Sequence, residues 1–127
     1  MAGIFDDADV ISTYSRAQAI EDGVLVDVSE LAREAGFRVP VAITAALHGL
    51  LSDIPKGSGE DYTGRLWDVL RMVALAARRA ASSDRVHVEV IVNQPGKPRG
   101  ALVKLWSLIG PGDTWEPVIT IMLESED

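Results

Sequence analysis

Cysteine is absent from the 127 residues, which removes disulfides, thiolate nucleophiles and cysteine-based zinc sites in one step. The absence agrees with a reducing compartment, and a cytoplasmic location is expected. Imidazole is scarce as well. His48 and His87 are the only two, they fall on different predicted elements, and no HxxxH or HxH spacing joins them, so neither a metal site nor a cofactor is expected. No GxSxG elbow, GxxxxGK[ST] loop or GxGxxG turn occurs. No apolar run reaches the roughly 20 residues of a membrane helix, and the opening "MAGIFDDADV" is acidic where a signal peptide would be basic. Basic charge is in deficit: 12 Lys and Arg against 19 Asp and Glu leave a net charge of −7 and a pI near 4.7. Such a balance opposes attraction to phosphate backbones, and direct nucleic-acid binding is not expected.

What is present suits one folded domain over residues 1–127, with 47% apolar and 24% charged residues. After a β-prone "VISTY", Ser15 offers a helix N-cap and Gly23 a stop. "VLVDV" is a short strand-like run, and Asp27 with Glu30 suggests a capping box for a second helix, "SELAREAG", ending at Gly36. "AITAALHGLLSDI" carries Ile43, Leu47, Leu50 and Leu51 at helical spacing behind Pro40. "PKGSGED" is a clear loop. The longest helix then runs from Asp61 or Thr63 to about Ser82. Leu66, Leu70, Val73, Ala77 and Ala80 form its stripe, and Arg65, Asp68, Arg71, Arg78 and Arg79 its polar edge, on which Asp68 and Arg71 can pair.

The period then drops to two. Val86, Val88, Val90 and Val92 alternate with Arg85, His87, Glu89 and Ile91, and "ALVKLWSLIG" and "PVITIMLE" follow after turns at "NQPGKPRG" and "GPGDTWE". Three such strands in series predict an antiparallel meander. Ala101, Val103, Leu105, Ile109, Ile119, Ile121 and Leu123 would take the core face, and the acidic "ESED" would keep the edge soluble. The expected fold is therefore α+β: N-terminal helices with a short strand, one long central helix, and a C-terminal three-stranded antiparallel meander.

The two ends, "TYSRAQAIEDGVLVDVS" and "GPGDTWEPVITIML", resemble those of an uncharacterised bacterial family, a domain of unknown function carried on plasmids, integrative elements and phage-derived islands. The resemblance spans nearly the whole chain and implies a genomic setting without a reaction. Small acidic proteins of that setting are often antagonists of host defence.

Two residue groups carry the functional expectations. Trp106, Lys104, Leu108 and Met122 fall on the sheet face opposite the assumed core, and Trp115 lies in the last turn. Tryptophan and methionine are enriched at interfaces, so this face would meet a partner or a second copy in a homodimer, unless a helix covers it. Tyr14, Arg16, Asp22 and Asp27 gather around the first helix and strand and could form a polar pocket for an anion or a proton transfer. The structural alternative makes Asp27 a cap and pairs Arg16 with Asp22 or Glu21. In "GPGD", Gly110 and Gly112 would take positive φ and Asp113 would close the turn. The expectation is a non-enzymatic accessory factor of a mobile element that binds another protein, such as a nucleic-acid-handling defence complex. It would act as an anti-CRISPR or anti-restriction inhibitor, by occupying a surface or by imitating nucleic acid. The competing class is an enzyme or small-anion binder using Tyr14, Arg16 and Asp27.

Overall fold

A computed structural model describes residues 14–80 and 83–127; the expected "VISTY" start lies mostly outside them. The fold is α+β, with four α-helices and one five-stranded sheet among the described residues. In chain order these are α1 (Arg16–Glu21), β1 (Leu25–Asp27), α2 (Ser29–Glu34), β2 (Val41–Thr44), α3 (Ala45–Ser52), α4 (Tyr62–Ala80), β3 (Arg85–Ile91), β4 (Leu102–Pro111) and β5 (Pro117–Leu123). A single 3₁₀ turn, Glu124–Glu126, follows. No helix among the described residues is long and apolar enough to cross a membrane.

Local chemistry sets most boundaries. Ser15 caps α1 in a reciprocal box with Gln18, and Gly23, at φ 78°, turns the chain out of the helix into β1. The Asp27–Glu30 box is not formed. Asp27 Oδ1 instead accepts from the Ser29 amide (3.0 Å) and hydroxyl (2.6 Å), and Ser29 Oγ accepts from the Val41 amide at 3.0 Å. One side chain thus ties the start of α2 to β2. Asp61 caps α4 by accepting from the Gly64 amide at 2.7 Å.

The principal departure from expectation is β2. Ile43 belongs to a strand, not to the helix its spacing suggested, and the helix begins at Ala45 behind a Thr44 N-cap. All four residues of β2 are buried, because the strand is central and covered on both faces, and such strands read as unbroken apolar runs without alternation. The sheet order is β1-β2-β5-β4-β3. β3, β4 and β5 form the expected antiparallel meander. β2 adds to it in parallel, Val41 opposite Ile119 and Ile43 opposite Ile121, and β1 pairs antiparallel to β2.

The inner face of the sheet, with Ile43, Val88, Val90, Val103, Leu105 and Ile121, packs against α2, α3 and α4 through Ala32, Leu47, Leu51, Leu66, Val69, Leu70 and Val73. The long helix is exposed beyond that contact: Ala77, Leu75 and Met72 face solvent. Ile109, expected in the core, is instead exposed. The short α1 lies alone on the outer face, where Ala19, Ala42 and Val118 are buried.

Arg65 was assigned to the polar edge of the long helix and is instead only 5% exposed. Its guanidinium donates to the carbonyls of Leu51 (3.2 Å), Asp53 (3.1 Å) and Asn93 (2.5 Å), with Glu60 Oε1 at 3.5 Å from Nε. It ties the end of α3, the loop before α4 and the end of β3 together. Arg71 does not pair with Asp68; its guanidinium lies 5.9 Å from the Trp67 ring centroid.

Arg65→Met keeps the apolar stem and strips three carbonyls of their donor. It is expected to cost about 2–4 kcal/mol in urea unfolding, whereas Arg71→Met should stay within about 0.5 kcal/mol. Equal effects would show that Arg65 does not carry this junction.

Candidate functional site

The four residues expected to share a polar pocket form two groups, Tyr14 with Asp22 and Arg16 with Asp27 on one hollow. Tyr14 donates its phenol to Asp22 Oδ2 at 2.7 Å in an exposed pair, and that bond raises the Tyr14 pKa. Arg16 pairs with neither Asp22 nor Glu21. It reaches onto the outer sheet face, where Nη1 donates to Thr120 Oγ1 and Nη2 to the Ile119 carbonyl, each at 2.7 Å. Burial lowers the Arg16 pKa, and the charges of Asp27, Asp113 and Glu116 oppose that shift.

Asp113 does not close its own turn. Its two oxygens accept from the amides of Arg16 (2.8 Å) and Ala17 (3.0 Å), which occupies the first N–H groups of α1. The start of α1 and the turn between β4 and β5 therefore meet on one surface. Between them lies a shallow hollow of about 190 Å³ lined by Arg16, Asp27, Pro40, Asp113, Glu116 and Val118. An anion entering it would find a guanidinium already committed to the sheet and three carboxylates around it.

The turn itself is held by Glu116, whose Oε1 accepts from the Thr114 amide (3.0 Å) and hydroxyl (2.9 Å). These bonds keep the Glu116 pKa low, the hydroxyl contributing most. The Gly112 amide donates to the Glu116 carbonyl (2.6 Å), and the Trp115 amide to the Gly112 carbonyl (3.1 Å). Neither Gly110 nor Gly112 takes positive φ; the residue that does is Trp115, at 67°. Glycine at 112 serves close approach instead, since a Cβ there would lie 2.8 Å from the Glu116 carboxylate. Left-handed backbone is unfavourable for a bulky side chain by about 1–2 kcal/mol, and this one projects Trp115 into solvent at 84% exposure.

Trp106 behaves otherwise. It stands on the outer face in register with His87 and Met122 and is half-buried, with side chains of β3 packed on it. The Arg85 guanidinium lies 4.2 Å from its ring centroid, and His87 packs edge-on at 4.9 Å. Arg85 in turn pairs with Asp127, and His87 Nε2 lies 2.7 Å from Glu124 Oε2. Glu126 accepts from Thr44 Oγ1 at 2.7 Å and from the Leu123 amide at 2.8 Å. The acidic "ESED" is thus folded back onto the sheet, not free at its edge. Lys104 is exposed on the same face, opposite Glu89.

The two histidines stay apart. His48 Nδ1 meets the Tyr62 hydroxyl at 2.8 Å, and burial raises the Tyr62 pKa. No group of three His, Asp or Glu residues converges in a metal-binding arrangement among the described residues. A larger concavity, which spacing alone did not suggest, runs beside the "PKGSGED" loop. A hollow of about 480 Å³ is lined by Glu60, Asp61, Arg65, Trp67, Asp68 and Ile91, and one of about 320 Å³ adjoins it through Glu60 and Asn93 and reaches Lys97 and Arg99.

The Asp113 bridge has a pH signature. Its folded pKa lies below the usual carboxylate value because two amides donate to the ionised form. Its stabilisation is therefore complete at neutral pH and fades as pH falls through the acid range. Asp113→Ala should lower the melting temperature by a few degrees at pH 7, and the gap to the parent should close only as pH falls below the usual carboxylate range. A gap that persists at low pH would assign the loss to something other than the charged cap.

Comparison with known proteins places the chain in a family. No curated protein and no solved structure matches the chain. A family model matches residues 1–127, the full length, and the chain belongs to the family described as a family of unknown function (DUF6573).

Proposed function

We propose that this chain is a non-enzymatic protein-binding factor whose anchor is the β4–β5 hairpin tip. The observation that carries this reading is Trp115: a tryptophan held at φ 67° and 84% exposed, with its turn fixed by the Thr114–Glu116 and Gly112–Glu116 bonds. Strained backbone that presents an apolar ring to water is costly to the isolated protein, and such strain concentrates at binding sites. A fixed turn also spares the anchor most of the ordering cost of binding. Tryptophan is among the side chains most often found at the energetic centre of an interface.

The partner is a protein with an apolar pocket rimmed by basic side chains. Asp113 and Glu116 flank Trp115, and the chain carries a net charge of −7, so a basic surface would be steered toward this tip. The setting implied by the family resemblance, mobile genetic elements, makes a nucleic-acid-handling defence complex the first class to test, with the chain acting as an anti-CRISPR or anti-restriction inhibitor in the cytoplasm.

The test is capture of partners by the tagged protein from lysates of cells with active restriction or CRISPR systems, at low and high salt, with Trp115→Gly in parallel. Glycine removes the ring and tolerates the left-handed backbone, so this variant should melt no lower than the parent while losing at least about 30-fold in partner affinity. Retained binding by a well-folded Trp115→Gly would overturn the anchor. Binding that depends on Trp115 yet vanishes at moderate salt would shift the weight from the apolar pocket to charge.

A further inference from the structure

β3 is the last strand on its side of the sheet, and its free edge is open over one short stretch. Val92 donates to the Ala101 carbonyl and Ile109 to the Asp84 carbonyl. By the alternation of an antiparallel ladder, the even-numbered residues of β3 face β4, and the odd-numbered ones direct N–H and C=O outward. Both ends of that outward row are closed. Ser83 Oγ donates to the Arg85 carbonyl at 2.7 Å and accepts from its amide at 3.2 Å. The Asn93 carbonyl is taken by the guanidinium of Arg65. Between these closures the outward groups of His87, Glu89 and Ile91 have no partner among the described residues, and Ile91 is 67% exposed.

The trough of about 480 Å³ lies at the Ile91 end of this open stretch. It is lined by Val90, Ile91 and Val92 of β3 and by Trp67 and Asp68 of α4, together with Glu60 and Asp61. The charge of the buried Arg65 guanidinium is offset by Glu60, 3.5 Å from its Nε, which leaves the exposed Asp61 and Asp68 as the net acidic groups of the trough. Lys97 and Arg99 lie in the neighbouring hollow beyond Asn93, so the acidic section is the one beside Trp67 and Asp68.

We infer that this edge takes an extended peptide segment of a partner protein, which adds as a strand to β3 at His87, Glu89 and Ile91 and sets a Lys or Arg side chain against Trp67 and Asp68. Main-chain bonds to the edge supply affinity, and the carboxylates of the trough select a basic side chain. A second copy of the chain fits less well, since it would bring another net charge of −7 and the same carboxylates. Residues 1–13 fit no better, for they contain Asp6, Asp7 and Asp9 and no Lys or Arg. This surface is distinct from the Trp115 hairpin and does not depend on it.

A random short-peptide display library selected against the full-length protein tests the assignment, followed by amide hydrogen exchange with the selected peptides. Enriched sequences should carry Lys or Arg next to alternating β-prone residues and should protect the amides of His87, Glu89 and Ile91. Asp68→Lys should weaken their binding about tenfold or more while leaving stability unchanged. Ile91→Pro, which removes one outward N–H at an edge position where proline is tolerated, should do the same. The proposal is overturned by a lack of enrichment, by enriched peptides without basic residues, or by protection confined to another surface. It is equally overturned if those three amides are already protected in the free protein by self-association or by residues 1–13.

Discussion

The parallel pairing of β2 with β5 is the constraint on which the other features rest. Val41, Ala42 and Ile43 lie opposite Ile119, Thr120 and Ile121, strands far apart in the chain. A parallel pair needs a long crossover, and closing it is entropically costly until the contacts around it have formed. The surrounding bonds reduce that cost on both faces. On the inner face Ile43 and Ile121 are fully buried in the main cluster. On the outer face Arg16 clasps Thr120 and Ile119, and Asp113 clasps the first turn of α1. The hairpin tip that carries Trp115 is fixed in space because its base is held by this seam.

The same seam explains how the acidic C-terminus is used. A chain with net charge −7 gains nothing from further carboxylates crowded at a sheet edge unless each has a partner. Glu124 meets His87, Glu126 meets Thr44 and Leu123, and Asp127 meets Arg85. Thr44 links this group to the interior, since its hydroxyl also accepts from the Leu47 amide at 3.3 Å and so caps α3. The tail thereby bridges the central strand β2 and the edge strand β3. Trp106, enclosed by Arg85 and His87, acts as the apolar platform under those charges, and its stacking is satisfied within the chain.

The alternating strands, the Ser15 cap, the Gly23 and Gly36 stops and the long central helix were legible because each is set by a local rule: period, cap chemistry or a positive-φ turn. β2 was not, for the run from Val41 to Thr44 has no alternation to display when both of its faces are buried, and Ile43 happens to stand four residues before Leu47. Arg65 offered a usable signal. It lies four residues before Val69 and eight before Val73, on the buried stripe, and only its charge argued for the surface. Asp113 offered none, because its partners, the amides of Arg16 and Ala17, are at the other end of the chain. Trp115 could be named as an interface candidate from residue type, but its left-handed backbone was assigned to the neighbouring glycines, since the turn is shaped by Glu116 more than by residue propensity.

The state of the carboxylates also bears on how an acidic surface of this kind would act on a basic partner. Asp113 and Glu116 are held by N–H and O–H donors that favour the ionised form, and Asp27 is fixed by Ser29. Hydrogen-bonded carboxylates lose no charge and little mobility remains to them, so the potential around the hairpin is preorganised. Phosphates on a nucleic acid are likewise spaced by a covalent scaffold. A protein imitates them well only if its carboxylates are held in place, and poorly if they sit on free side chains that reorient at every contact. Trp115 has no counterpart in such imitation. On the proposed reading, its presence between two fixed carboxylates suits a partner that offers both an apolar pocket and a basic rim better than one that offers charge alone.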